Sequence, residues 1–173
     1  MSDAQNITKK NGPGMYTAIG DYVFNTNSSL KRQWITIHSD IMPIKINDTI
    51  GVIVSGDKDL KYYSEYNLVA KEPIKAVEIR FLLFNIWGEH YKTLSATLII
   101  DLGSDVGRVF ESEWNTYSIN DLSEFYASIA YIARARTAEG QVINADSKIV
   151  LKEAKKFSEK FSEKDLEPTP NKK

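Results

Sequence analysis

His38 and His90 are the side chains of this sequence best able to carry a proton near neutral pH. Neither has a partner at metal-ligand spacing such as H-x-x-x-H, so each reads as a structural or surface imidazole. Glu89 stands beside His90, an acid next to a base, yet adjacent strand residues point to opposite faces. The acidic turns Asp57/Asp59 and Asp101/Asp105 offer oxygens for calcium but lack the distal glutamate of an EF-hand loop. Solvated turn aspartates are the expectation there. Arg134 and Arg136 would suit an anion and are expected to pair instead with an acid such as Glu78 across a sheet face. The sequence has no glycine-rich phosphate loop, no G-x-S-x-G elbow and no H-E-x-x-H. With no cysteine it has neither thiol nucleophile nor thiolate metal site. No catalytic residue, no metal and no cofactor are expected.

Recognition is the chemistry left. Aromatic residues make up 11% of the chain and gather near turns and strand ends. Tyr63, Tyr66, Trp87, Tyr91 and Trp114 form the candidate binding patch, because tyrosine and tryptophan join apolar area to a polar handle. Packing in the core is the competing use of the same residues.

The element that must position them is the run 74–88, IKAVEIRFLLFNIWG. Read with period two, Val77, Ile79, Phe81, Leu83 and Trp87 share one face. The other face begins polar at Glu78 and Arg80 and turns apolar at Leu82, Phe84 and Ile86. The spacing predicts a central strand, half-buried at first and covered on both faces toward Trp87. Its β-branched and aromatic content, and Pro73 before it, favour strand over helix.

Within that run, Phe81-Leu82-Leu83-Phe84-Asn85 followed by Ile86-Trp87-Gly88 resembles the F-x-L-Y-D-x-x-G signature of bacterial FxLYD-type domains. Phe81 and Leu83 match directly, Phe84 stands for the tyrosine, Asn85 for the aspartate, and Gly88 closes the turn. Ile74-Lys75-Ala76-Val77 is similar to the I-x-x-I/V lead-in. The chain departs from the pattern at Asp101-Leu102-Gly103-Ser104-Asp105, where the family has a leucine-x-proline-glycine turn. The resemblance implies an immunoglobulin-like β-sandwich and no common activity.

Around the run, strands are expected at 21–24, 33–38, 41–46 (broken by Pro43, with Asp48 as a turn), 49–55, 62–70, 93–102, 108–114 and 125–136. Residues 137–140 read as a hairpin connection returning through 141–144. On 125–136, Ile129, Tyr131 and Ala133 are expected on one face, with Arg134 and Arg136 on the other. Closely spaced turns and many short strands point to a mainly β fold, an immunoglobulin-like antiparallel β-sandwich. The period then changes: Val150, Ala154, Phe157 and Phe161 follow at intervals of four, three and four, one stripe of a helix. Asp146 or Ser147 would cap it and Pro168 and Pro170 would stop it. The expected organisation is a flexible arm over 1–14, a sandwich over 15–146, one amphipathic helix over 147–167 packed on it, and a disordered tail over 168–173.

At 173 residues the chain suits one domain with a proper core. A net charge of −1 makes no general case for nucleic acid or an anionic membrane. Residues 148–173 carry eight lysines against five acids, +3, and the remainder is −4. Those interspersed acids argue against lipid or nucleic acid as the helix's target. No signal-like or membrane-spanning stretch is apparent. The chain as given reads as cytoplasmic, or as an envelope or exported domain if a native signal has been removed. A non-enzymatic protein-binding module is the first functional expectation, with self-association through sheet edges open to it. The rival is a small ligand-binding protein or hydrolase with a pocket between sheet and helix. A buried cavity lined by His38 or His90 with a convergent carboxylate would sink the binding-module reading in favour of the rival; a solid core and an exposed aromatic patch would support the module.

Overall fold

The computed structural model describes residues 7–11, 18–19, 22–23, 32–55, 60–116 and 124–170. The strands among the described residues come first: β1 (Ile7–Asn11), β2 (Ala18–Ile19), β3 (Tyr22–Val23), β4 (Gln33–Ile37), β5 (Ile44–Ser55), β6 (Leu60–Ala70), β7 (Ile74–Asn85), β8 (His90–Leu102), β9 (Gly107–Thr116), β10 (Phe125–Thr137) and β11 (Val142–Asn144). A helix, α1 (Ser147–Lys155), and a 3-10 turn at Glu163–Leu166 follow. The larger sheet runs β1-β4-β10-β7-β8, with β11 also on β10, and the smaller runs β5-β6-β9. Its pairs are antiparallel except β4 and β10, which run parallel.

The period-two pattern of β7 decides the layering. Val77, Ile79, Phe81 and Leu83 enter the core between the two sheets, where they meet Tyr62, Tyr66 and Leu68 of β6. Phe81 sits 5.1 Å from the Trp114 ring and 5.9 Å from that of Tyr66. Leu82 and Phe84 face the other way, into a second core with Ile35, Ile37, Ile129, Tyr131, Val150, Ala154 and Phe161. The molecule therefore has three layers: small sheet, large sheet, and the α1 segment on the large sheet's outer face. The strand is covered on both sides because a second apolar stripe, the C-terminal one, supplies its outer cover.

Several expectations change. Strand β7 ends at Asn85, so Trp87 lies in the following turn and is 65% exposed. Ile7–Asn11 is no arm; it pairs antiparallel with β4. Asp48 is no turn, since β5 runs through it with a register shift between Ile46 and Asp48 that absorbs the interruption. Another shift, between Ile132 and Arg134, reverses the phase of β10. Arg134 thus shares a face with Glu78, and its Nε donates to Glu78 Oε1 at 2.8 Å.

Helix α1 is capped as expected, Asp146 Oδ1 accepting from the Lys148 N–H. It stops at Lys155, well short of 167. The N–H groups of Phe157 and Ser158 both return to the Ala154 carbonyl, and Ser162 with Asp165 forms a capping box that starts the 3-10 turn. Serine competes for backbone hydrogen bonds and so favours such breaks. The apolar stripe survives the break: Phe157 and Phe161 both reach Phe84, at 5.5 and 5.8 Å. Nor is the tail loose at Thr169, whose N–H donates to the Thr93 carbonyl while its Oγ1 accepts from the Thr93 N–H. The start of the expected sandwich at residues 15–17, the ends of the 21–24 strand, the Asp57/Asp59 turn and residues 171–173 lie outside the described residues.

Candidate functional site

Strand β7 takes one edge of β10, so β4 and β11 share the other. Strand β4 pairs with Ala127–Ala130 and β11 with Arg134–Arg136. Between them no strand among the described residues covers β10, and a notch opens beside Tyr131 and Ile132. The chain leaves β4 there to cross to the small sheet. Residues 38–43 make that crossing, with the Met42 N–H donating to the Ser39 carbonyl at 3.3 Å, and Pro43 holds the approach to β5 extended. The start of α1 closes the remaining side. The result is a cavity of about 220 Å³ with walls from Ile37, Met42, Ile44, Ile46, Tyr131, Ile132, Ala145, Ile149 and Val150. Its polar groups are His38, Ser39, Asp40, Lys45 and Asp146. Ile41, also at the cavity, is 60% exposed.

The electrostatics divide inside from rim. Met42, Ile44, Ile46, Tyr131 and Val150 are buried, while Asp40, Lys45 and Asp146 are exposed. Burial, and then the charge of Lys45, hold the His38 pKa below its ordinary 6.5, so the ring is neutral at pH 7. Burial raises the Tyr131 phenol's pKa against the opposing influence of Arg80. His38, Asp40 and Asp146 thus all stand at an apolar hole between sheet and helix. Among the described residues no group of three or more His, Asp or Glu is arranged to hold a metal.

The four aromatic candidates with described side chains, Tyr66, Trp87, Tyr91 and Trp114, do not assemble into an exposed patch. Tyr66 is 1% exposed, its hydroxyl 2.7 Å from Ser112 Oγ and its ring stacked on Phe110. Alternation along β6 turns Tyr62, Ser64, Tyr66 and Leu68 inward together, which is why the core claims it. Trp114 is half-buried and donates from Nε1 to the Ser95 carbonyl at 3.0 Å. Tyr91 is half-buried against the same core. The side chain of Tyr63 lies outside the described residues. Trp87 alone of the described four is open to solvent, on a turn pinned by Asn85 Oδ1, which accepts from the N–H groups of Trp87 and Glu89, both at 3.0 Å. Gly88 adopts φ 76° there, a conformation that suits glycine. Across an open cleft from this turn stand Phe157, Lys160 and Lys164.

His90 is structural. Its Nε2 shares a hydrogen bond with Thr93 Oγ1 at 2.7 Å, and that hydroxyl lies 2.6 Å from the Asp165 carbonyl oxygen, which accepts from it. The ring packs edge-on to Phe84 and Phe161. Burial lowers its pKa below 6.5, with Asp165 and a backbone hydrogen bond at Lys92 opposing. Because the folded value lies below the unfolded one, the stability tied to neutral His90 is fully present above about pH 6.5. It is lost as pH falls through the folded value. The stability difference between wild type and His90→Gln is expected to shrink from pH 7.5 to pH 5, measured by urea unfolding at each pH.

The class that fold and cavity define is a mainly β, two-sheet domain with one helix laid on the outer face of the larger sheet. No helix among the described residues is long and apolar enough to cross a membrane. No protein-family model and no curated protein matches the chain. The chain is similar to one X-ray structure, that of Northeast Structural Genomics Consortium target SoR45. Identity is 14%, over 60% of this chain and 80% of that one, with a TM-score of 0.37, too slight to bear on function.

Nothing in the sequence marked the notch. Strand ends and a crossover make it, and only the pairing of β10 brings Ile37, Tyr131 and Val150 together. In the sequence His38 stands alone, because Asp146, which lines the same cavity, lies far along the chain.

Proposed function

We propose that this protein is a non-catalytic binding domain for a small, largely apolar molecule held in the notch between β4, β11 and α1. The cavity carries the proposal: about 220 Å³, apolar within and polar at one rim. An apolar cavity of about 150 Å³ admits benzene, and drug-sized ligands occupy roughly 300 Å³ or more. The implied ligand has a ring or short chain of around ten heavy atoms. Saturation at a hundred times Kd would raise stability by about 2.7 kcal/mol. A thermal-shift series with toluene and indole, read beside backbone amide NMR shifts at Ile37 and Val150, is the test. Binding is expected, and Ala145→Phe, which fills the space, is expected to abolish it while the protein stays folded. No shift at millimolar ligand would defeat the proposal.

The frame is read as immunoglobulin-like and of the FxLYD type. Supporting this are Phe81 and Leu83 in the inter-sheet core and Gly88 in a left-handed turn. We also propose a protein contact at the β7–β8 corner, supported by Trp87, a large aromatic held exposed on a hydrogen-bonded turn.

A further inference from the structure

The rim of the notch carries a definite balance of charge. Asp40 and Ser39 come from the β4–β5 crossing, Lys45 from β5, and Asp146 from the cap of α1. At pH 7 His38 is neutral, which leaves two carboxylates against one ammonium. The positive end of α1 is already met by Asp146, whose Oδ1 accepts from the Lys148 N–H at 3.0 Å. Deeper in, Ile37, Met42, Ile44 and Val150 present only apolar groups, and a charge drawn among them would lose its hydration without return. Any charged group on a ligand must therefore stay at the rim, where the net sign is negative.

We infer that the notch takes a compact amine: an apolar body of about benzene size inside, and a cationic end at the rim beside Asp40 and Asp146. The inference rests on the ligand-binding function proposed above and adds the sign of the ligand. Lys45 opposes it and sets its limit. An amine that reaches both carboxylates gains from each, whereas a carboxylate ligand of the same shape meets two like charges and one opposite. Exposed ion pairs are weak, so the preference is modest, about two- to fivefold in Kd for each carboxylate.

The experiment titrates the full chain with toluene, benzylamine and benzoate at pH 7.5 and low salt, followed by backbone amide NMR shifts around the notch. Benzylamine is expected to bind tightest and benzoate weakest. Asp40→Asn and Asp146→Asn should each bring benzylamine toward toluene. Asparagine caps a helix about as well as aspartate, so D146N removes charge and leaves α1 in place. Lys45→Gln should widen the gap between benzylamine and benzoate. If toluene binds but benzoate equals or exceeds benzylamine, the amine assignment is overturned and the cavity function stands. A benzylamine affinity, relative to toluene, that neither asparagine variant lowers overturns it as well. If none of the three binds, the cavity function itself fails, and the amine assignment with it.

Discussion

Deleting residues 147–173 is expected to leave the protein unfolded or aggregated under conditions where the full chain is folded. The deletion uncovers Leu82, Phe84, Ile129 and Tyr131, an apolar face on the large sheet that Val150, Ala154 and Phe161 now bury. A milder version gives a number. Phe161 is buried and packs on Phe84 at 5.8 Å and His90 at 5.0 Å. Phe161→Ala should cost about 3–5 kcal/mol, the range for truncating a buried phenylalanine. Against a total stability of roughly 5–15 kcal/mol, that is a large share. Urea unfolding of the single variant measures it. An unchanged midpoint would mean that the segment lies on the sheet without stabilising it.

The second large effect is expected at Glu78. Its side chain is nearly buried on the helix-side face, with Oε2 2.5 Å from Arg80 Nε and Oε1 2.8 Å from Arg134 Nε. Arg80 also reaches the Leu166 carbonyl at 3.0 Å, so the group ties β7, β10 and the 3-10 turn together. Glu78→Leu leaves the Arg80 side chain, only 15% exposed, with the more distant and exposed Glu167, at 3.9 Å, as its remaining carboxylate. Breaking a buried pair from one side costs about 3–5 kcal/mol. The lower end applies here, because the Arg134 side chain is 59% exposed and water serves it well. The pH dependence has a definite sign. Burial pushes the Glu78 pKa up, but Arg80 and then Arg134 outweigh it, and the folded value lies below the ordinary 4.5. Its contribution is therefore complete above about pH 4.5 and is lost as pH falls through the folded value. Glu78→Gln should flatten the acid limb of stability against pH. A variant with the wild-type slope would contradict the assignment.

These two sites differ in how well the sequence foretold them. The Glu78–Arg134 pairing was legible from residue type, although the phase that permits it was not. A one-residue shift in β10 rests on its fit to β7, and no local propensity encodes that. The three-layer arrangement was largely legible, since β7 turns apolar on both faces and one amphipathic stripe remained to cover it. The length of α1 was not, because a helical period persists through a break when the chain turns and returns its phenylalanines to the same place. Tyr66 and Trp114 illustrate the limit for recognition surfaces. Aromatic content near strand ends cannot tell an exposed side chain from an inward one until the register is known.

The edge of β10 shared by two short strands has one further consequence. The register of β10 is set on its opposite side by β7, independently of where β4 stops or β11 begins. Either strand end could lengthen or shorten by a residue without moving the frame. The size of the gap, and so the size of the molecule it would admit under the proposed function, is adjustable by small insertions in two surface connections. Evolution would have room there to change selectivity while inheriting the scaffold intact.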